Sequence, residues 1–173
     1  VLPDAPDAGL VQAVRHAAQT LADARCAGML VVPADLPSIK SADIELIALG
    51  HRSSPAVTLV AAGSDGGTNA LACSPPDALP ICYGEDSFRR HYNAASSRGL
   101  VPRVLTLPRF ELDIDRPEDL LSFMTQPATT RTHKWLRDSG IAQRLQALRA
   151  VSAAVRLTDE LTCADASAFY QKG

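Results

Sequence analysis

Three carboxylates stand where a catalytic ion could use them. Asp35 follows the apolar run Met29 to Val32 across Pro33-Ala34, while Asp113 and Asp115 flank Ile114 at the end of the run Phe110 to Ile114. If both runs are strands, all three acids lie at strand carboxyl ends, where open α/β sheets collect ligands. The period-two alternation of a strand would set Asp113 and Asp115 on one face with Ile114 turned into the core. Carboxylates crowded in this way repel one another unless a cation offsets their charge. Hard oxygen donors favour magnesium, which keeps several waters and takes further ligands from substrate phosphates. The same residues also read as a helix start, with Asp115 capping a helix opened by Pro117 and Asp113 solvated.

Two glycine-bearing turns offer a different chemistry. Gly66-Gly67 lets the backbone approach a ligand and present N–H groups, and Thr68 adds a hydroxyl beside them, with Asn69 next in the chain. An ordinary hairpin turn would have the same composition. Gly84 to Ser87 precedes a helix, so free N–H groups and the positive dipole end would face an anion there, a role compatible with Ser87 as N-cap. Arg89, Arg90 and His91 could supply positive charge to a carboxylate or phosphate, or form a solvated helix face. His16, His51 and His133 are scattered and suggest no site; Trp135, the sole tryptophan, reads as a packing anchor for the C-terminal segment.

The elements that must position these residues follow from periodicity. Leu10, Val14, Ala17, Leu21 and Ala24 form the stripe of an amphipathic helix from Gly9 to Ala27, with Gly28 placed to end it. Met29 to Val32 reads as a parallel strand buried on both faces. A helix from Ser41 to about Leu49 is followed by a strand at Ala56 to Ala62, an extended Thr68 to Cys73 and a brief extended piece at Ile81 to Tyr83. A helix from Phe88 to about Ser97 closes at Gly99; strands at Val101 to Leu107 and Phe110 to Ile114 precede a helix from Pro117 to Met124. Such alternation implies an α/β sheet with helices on both faces. Beyond Pro127 the character changes, with helical patterns at Thr130 to Val155 and Thr158 to Tyr170 and no strand candidate.

Composition narrows the possibilities. The chain has 173 residues, 17 Lys+Arg against 19 Asp+Glu and a net charge of −2, which argues against a nucleic-acid binder relying on a basic surface. The longest apolar stretch, around Met29 to Ala34, is broken by Pro33 and falls far short of the roughly 20 residues that span a bilayer. The start, Val-Leu-Pro-Asp-Ala-Pro-Asp, lacks the marks of a secretory signal. Cys26, Cys73, Cys82 and Cys163 show no Cys-x-x-Cys spacing and read as buried thiols in a reducing compartment, so the expected address is the cytoplasm.

Four segments in order carry a family likeness: Pro33-Ala-Asp-Leu-Pro37, Asp65-Gly-Gly-Thr-Asn-Ala-Leu71, Tyr83-Gly-Glu-Asp-Ser-Phe-Arg-Arg-His91 and Leu112-Asp-Ile-Asp-Arg-Pro-Glu-Asp-Leu120. Over roughly Gly9 to Phe123 the chain resembles the guanylyltransferases of coenzyme F420 biosynthesis, the CofC/FbiD family. The resemblance implies a GT-A-like, Rossmann-like α/β fold with a mostly parallel mixed sheet. It implies transfer of GMP from GTP to a three-carbon phospho-acid, namely phosphoenolpyruvate, 2-phospho-L-lactate or 3-phosphoglycerate, with release of pyrophosphate. Asp35, Asp113 and Asp115 would be the catalytic, magnesium-binding carboxylates; Thr68, Gly84 and Ser87 would contact the acid, and His91 matches the family's Ser-Phe-x-x-His pattern. Gly66, Gly67 and Asn69 complete the candidate substrate-binding set.

The family's opening strand, its basic nucleotide-binding loop and roughly another β-α unit have no counterpart before the first helix, so the chain is expected to be N-terminally shortened. Residues 1–126 would form a partial nucleotidyltransferase domain and 127–173 a helical extension. A sheet lacking its first strands invites homodimerisation or completion by another chain. Two other readings stay open: a catalytically silent fragment keeping only the metal and phospho-acid half-site, and a related nucleotidyltransferase using another nucleotide.

Overall fold

A run of seven consecutive buried residues, Thr68–Ser74, organises the fold. The computed structural model describes residues 9–51, 54–63, 66–127 and 130–150. In chain order the elements are α1 (Gly9–Asp23), β1 (Met29–Val31), α2 (Ser41–Gly50), β2 (Ala56–Ala61), β3 (Thr68–Ser74), α3 (Ser87–Ser96), β4 (Arg103–Leu105), a 3₁₀ turn (Pro108–Phe110), α4 (Pro117–Thr125) and α5 (Arg131–Asp138). Residues 141–150 are also helical. The expected helix at Thr158 to Tyr170, Cys163 and Asp65 of the Gly-Gly-Thr segment lie outside the described residues.

The four strands form one mixed sheet in the order β1-β3-β2-β4. β3 runs antiparallel to both β1 and β2, and β2 pairs in parallel with β4. The α/β class and mixed sheet match expectation, but among the described pairings only one is parallel. The reason lies in the connection: the short turn at 62–67 folds β3 straight back along β2, whereas a parallel return needs a crossover of a dozen or more residues.

Alternation along the two central strands divides the core between the two faces of the sheet. Val57, Leu59, Leu71 and Cys73 join Val14 and Ala18 of α1 and Ala95 of α3 on one face. Val60, Ala70 and Ala72 join Ile47 of α2, Leu107 and Phe110 on the other. The register fits, because Val57 opposes Cys73 and Leu59 opposes Leu71. β1 departs from the expectation of burial on both faces: Met29 is buried while Leu30 is exposed, as befits a strand at the sheet's edge among the described residues.

Helix ends show where glycine is and is not needed. α1 stops in a Schellman arrangement, the Cys26 N–H donating to Leu21 O at 2.9 Å and the Arg25 N–H to Ala22 O at 2.9 Å. The left-handed residue is Arg25, with φ of 56°, so Gly28 does not end the helix as expected. Gly28 instead permits close approach to β3, since a Cβ there would lie 2.4 Å from Ser74 Oγ and 2.8 Å from Cys73 O.

The expected strand at Phe110 to Ile114 does not form. Pro108 opens the 3₁₀ turn, closed by Phe110 N–H to Leu107 O at 2.8 Å. Beyond it the segment is pinned by single bonds to two separate loops: Gly63 N–H to Glu111 O at 3.1 Å and Ile114 N–H to Asp35 O at 3.0 Å. A ladder would need successive bonds to one partner strand.

By compactness the chain divides into Val1–Ile114 and Asp115–Gly173. In the second unit Phe123 is fully buried and meets the His133 ring edge-to-face at 5.6 Å. The Thr130 hydroxyl caps α5 by accepting the His133 N–H at 3.2 Å. Trp135 is 59% exposed, so it is no packing anchor; Leu136 is the buried residue of that helix. Among the described residues no helix is long and apolar enough to cross a membrane.

Candidate functional site

Polar side chains on a fully buried strand must find partners, and on β3 each of them does. Ser74 Oγ lies 2.9 Å from His51 Nε2, whose Nδ1 lies 2.9 Å from Thr58 Oγ1, tying the end of α2 to the sheet. Thr68 and Asn69, at the opposite end of β3, owe their directions to a bulge. Val60 pairs with Ala70 and Ala61 with Thr68, leaving Asn69 without an opposite residue. Counting back from Leu71 by strict alternation would send Asn69 toward α1 and α3 and Thr68 to the opposite face. The extra residue reverses this. Asn69 Nδ2 donates to Phe110 O at 2.8 Å, and Thr68 meets α3.

The Thr68 hydroxyl sits at the centre of a buried network. His91 Nδ1 lies 3.0 Å from Thr68 Oγ1, and Ser87 Oγ lies 3.2 Å from the same oxygen. On the far side of the ring, His91 Nε2 accepts the Cys82 N–H at 2.9 Å. Tyr83 packs edge-to-face on the imidazole, with centroids 5.0 Å apart. His91 is 0% exposed; burial, reinforced by Arg90, pushes its pKa down to about 4 against the opposing pull of a backbone hydrogen bond at Ser87. It is therefore neutral at physiological pH and cannot supply the positive charge expected of it.

The two glycine turns form the exposed rim above this network. Gly66 has φ of +73° and its carbonyl accepts the Phe88 N–H at 3.0 Å, while Gly67 O accepts the Ala62 N–H at 3.0 Å. Gly84 has φ of +113° and its carbonyl takes the Ser87 N–H at 3.1 Å. The start of α3 is thus less open than expected, because the Ser87 and Phe88 N–H groups are both engaged. Arg89 pairs with Asp86 at 2.6 Å on the surface, and the Arg90 guanidinium lies over Gly84, 3.7 Å from where a Cβ would stand.

The three acids divide between the units. The Ile114-to-Asp35 bond sets the Asp35 backbone beside the Asp113-Ile114 pair, with Asp35 exposed and Asp113 half-buried. Asp115 opens the second unit and does not cap α4 as the helix-start reading had it. That work falls to Asp119, whose carboxylate accepts the Arg116 N–H at 2.8 Å and the Asp115 N–H at 3.2 Å. The period-two argument for Asp113 and Asp115 lapses with the missing strand. Among the described residues no group of three His, Cys, Asp or Glu side chains is assembled to hold a metal ion. Magnesium needs less, since one or two carboxylates plus water and substrate phosphates suffice. Asp35 and Asp113 are hard oxygen donors, the donor type magnesium takes, carried on segments joined by a main-chain bond.

Some of this arrangement left no mark in the sequence. The donor that faces His91 is the Cys82 main chain, which no residue type announces. A second unforeseen pair buries Asp43 of α2 against Arg109, with contacts of 2.5 and 2.7 Å. The Arg109 guanidinium holds the Asp43 carboxyl below its usual range.

Fold and site together define an α/β protein whose mixed sheet carries a buried hydroxyl and imidazole cluster beneath two glycine turns, with acidic loops elsewhere in the chain. The chain matches the family profile described as "Guanylyl transferase CofC like" over residues 1–157, and it belongs to that family. It is 38% identical over 128 residues to a 3-phospho-D-glycerate guanylyltransferase of Colwellia psychrerythraea, covering 73% of this chain and 60% of the relative. It is 36% identical over 112 residues to a phosphoenolpyruvate guanylyltransferase of Rubrobacter xylanophilus, covering 65% and 55%. A phosphoenolpyruvate guanylyltransferase of Sphaerobacter thermophilus is 40% identical over 114 residues, covering 65% and 50%. The chain spans half to three fifths of the length of these relatives.

Proposed function

We propose that this protein works in guanylyl transfer from GTP to a small phosphorylated three-carbon acid, the acceptor phosphate attacking the α-phosphorus and pyrophosphate leaving. The observation that carries the reading is the Thr68, Ser87 and His91 cluster beneath the turns at Gly66 and Gly84, in a chain whose relatives are named for such acceptors. Buried hydroxyls there can hold an anionic acid with no basic surface, consistent with the net charge of −2. Gly66 and Gly84 keep side chains off the rim, and Asn69 anchors the bulge to Phe110 O so that Thr68 keeps its direction.

Asp35 and Asp113 are the residues of the first unit that would hold magnesium. When bound, that ion supplies charge neutralisation for the phosphates of the nucleotide. The acids contribute fixed negative charge on the loops that carry them, and the Ile114-to-Asp35 bond holds two of their segments together.

The test is Asp113→Asn in the active enzyme, assayed for guanylylation of phosphoenolpyruvate, 2-phospho-L-lactate and 3-phosphoglycerate. Loss of an electrostatic stabiliser of this kind costs on the order of 10²-fold or more in rate. Turnover near wild type would remove Asp113 from the chemistry. No transfer by the wild-type protein to any of the three acids would remove the function.

A further inference from the structure

The hydrogen atoms of the Thr68 cluster can be assigned without seeing them, because one member has no choice. A backbone N–H only donates, so His91 Nε2, accepting from Cys82 at 2.9 Å, carries a lone pair. A neutral imidazole then bears its hydrogen on Nδ1, and that N–H is shared between Thr68 Oγ1 at 3.0 Å and the Ser87 main chain. Thr68 cannot donate back to His91. Two hydroxyl hydrogens remain, on Thr68 and Ser87, and the 3.2 Å contact between the two oxygens consumes one of them. Among the described residues the second has no further acceptor. Thr68 and Ser87 are 3% and 2% exposed, so water meets them only at the rim.

A buried hydroxyl hydrogen without an acceptor costs free energy that a ligand oxygen recovers. We infer that His91 is a positioning residue: its tautomer, fixed by the Cys82 main chain, polarises the Thr68–Ser87 pair so that one hydroxyl donates to an acceptor-only oxygen of the substrate. Carboxylate and phosphate oxygens have that chemistry; a substrate group that must itself donate does not. His91 acts through Thr68 and never touches the substrate. The inference rests on the phospho-acid reading above and adds the residue that sets the polarity of that site.

Two amide variants separate this role from a structural one. His91→Gln sets an amide near the Nε2 position, where its oxygen can accept the Cys82 N–H, but it withdraws the donor from Thr68. His91→Asn sets its amide N–H near the Nδ1 position and leaves the Cys82 N–H unpaired. Steady-state kinetics with phosphoenolpyruvate and 3-phosphoglycerate should show His91→Gln raising the KM of the accepted acid about tenfold, with the GTP KM within twofold. His91→Asn should keep the acid KM within about threefold while lowering the melting temperature more than Gln does. Long-range proton–nitrogen NMR of the wild type should find His91 protonated at Nδ1 and bare at Nε2. An unmoved acid KM in an active His91→Gln enzyme, or a hydrogen on Nε2, overturns the positioning role while leaving guanylyl transfer intact. Absence of acid turnover in the wild type overturns the functional reading instead, and the NMR result still judges the tautomer.

Discussion

Acid should destabilise the Val1–Ile114 unit well above the pH at which carboxylates titrate, and His91 should be the main reason. In the unfolded chain its pKa is the ordinary 6.5; in the folded protein burial holds it down to about 4. Between those values the unfolded state binds more protons, so stability rises with pH across this window and is lost as pH falls through it. A shift of this size corresponds to about 3 kcal/mol, of which about 2 kcal/mol lies between pH 6.5 and 5. Domains of this size commonly have only about 5–15 kcal/mol in total. His51, whose pKa is also lowered by burial, adds a contribution of the same sign. Asp43 does not confuse the window, because its depressed pKa makes its contribution disappear only below the ordinary 3.8. Urea unfolding followed by circular dichroism at pH 7, 6.5, 6, 5.5 and 5 reads the slope directly. His91→Gln cannot titrate and should remove most of the slope, and adding His51→Asn should remove the remainder. A wild-type stability flat from pH 7 to 5, or a slope that survives in the double variant, would refute the assignment of a buried neutral imidazole.

Two further tests probe the frame around the site. Arg109→Met strands the buried Asp43 carboxylate, which retains the Lys40 N–H at 2.9 Å, and should cost about 2 kcal/mol in urea unfolding because both hydrogen bonds from a charged group are lost. Asp43→Asn in the same background should recover part of it. Gly28→Ala should destabilise more than Gly66→Ala: its new Cβ falls 2.8 Å from the Cys73 carbonyl and 2.4 Å from a Ser74 hydroxyl already in contact with His51, whereas at Gly66 the nearest atom is an exposed Asp86 carboxylate at 3.1 Å. Overpacking of the first kind costs about 1–3 kcal/mol, against about 1–2 kcal/mol of left-handed strain for the second. Differential scanning calorimetry of the pair gives the order, and the reverse order would mean that β3 yields where Gly28 meets it.

What the sequence made legible follows from which forces are local. α1, α2 and α3 were found within a few residues because amphipathic spacing and punctuation act over one or two turns. β2 and β3 were found because continuous apolar runs exclude water wherever the chain goes. Strand direction was not found, since the pattern of a buried strand is the same whichever way its neighbour runs, and only the short 62–67 turn carried the hint. The Phe110 to Ile114 segment was misread for a related reason. Its composition suits a strand, but its N–H and C=O groups were already committed to separate loops, a fact that depends on tertiary neighbours. Gly28 was recognised as a position that needed glycine and given the wrong reason, because a left-handed turn and a close approach select the same residue.

The candidate site divides along the same line. Thr68, Ser87 and His91 were named from two segments 19 and 23 residues apart, and the fold brings their side chains within hydrogen-bonding distance. Their roles were hidden. Which face Thr68 takes depends on a bulge whose extra residue, Asn69, looks in the sequence like any other strand position. Which hydrogen His91 carries depends on the N–H of Cys82, and every residue except proline would present the same donor there. Side-chain identity therefore specified that a hydroxyl and an imidazole would be present, while the direction of donation was written by the backbone. That asymmetry predicts where substitutions are silent: Cys82 can change to any non-proline residue of similar size without altering the site's polarity, whereas a single proline there removes the donor that fixes it.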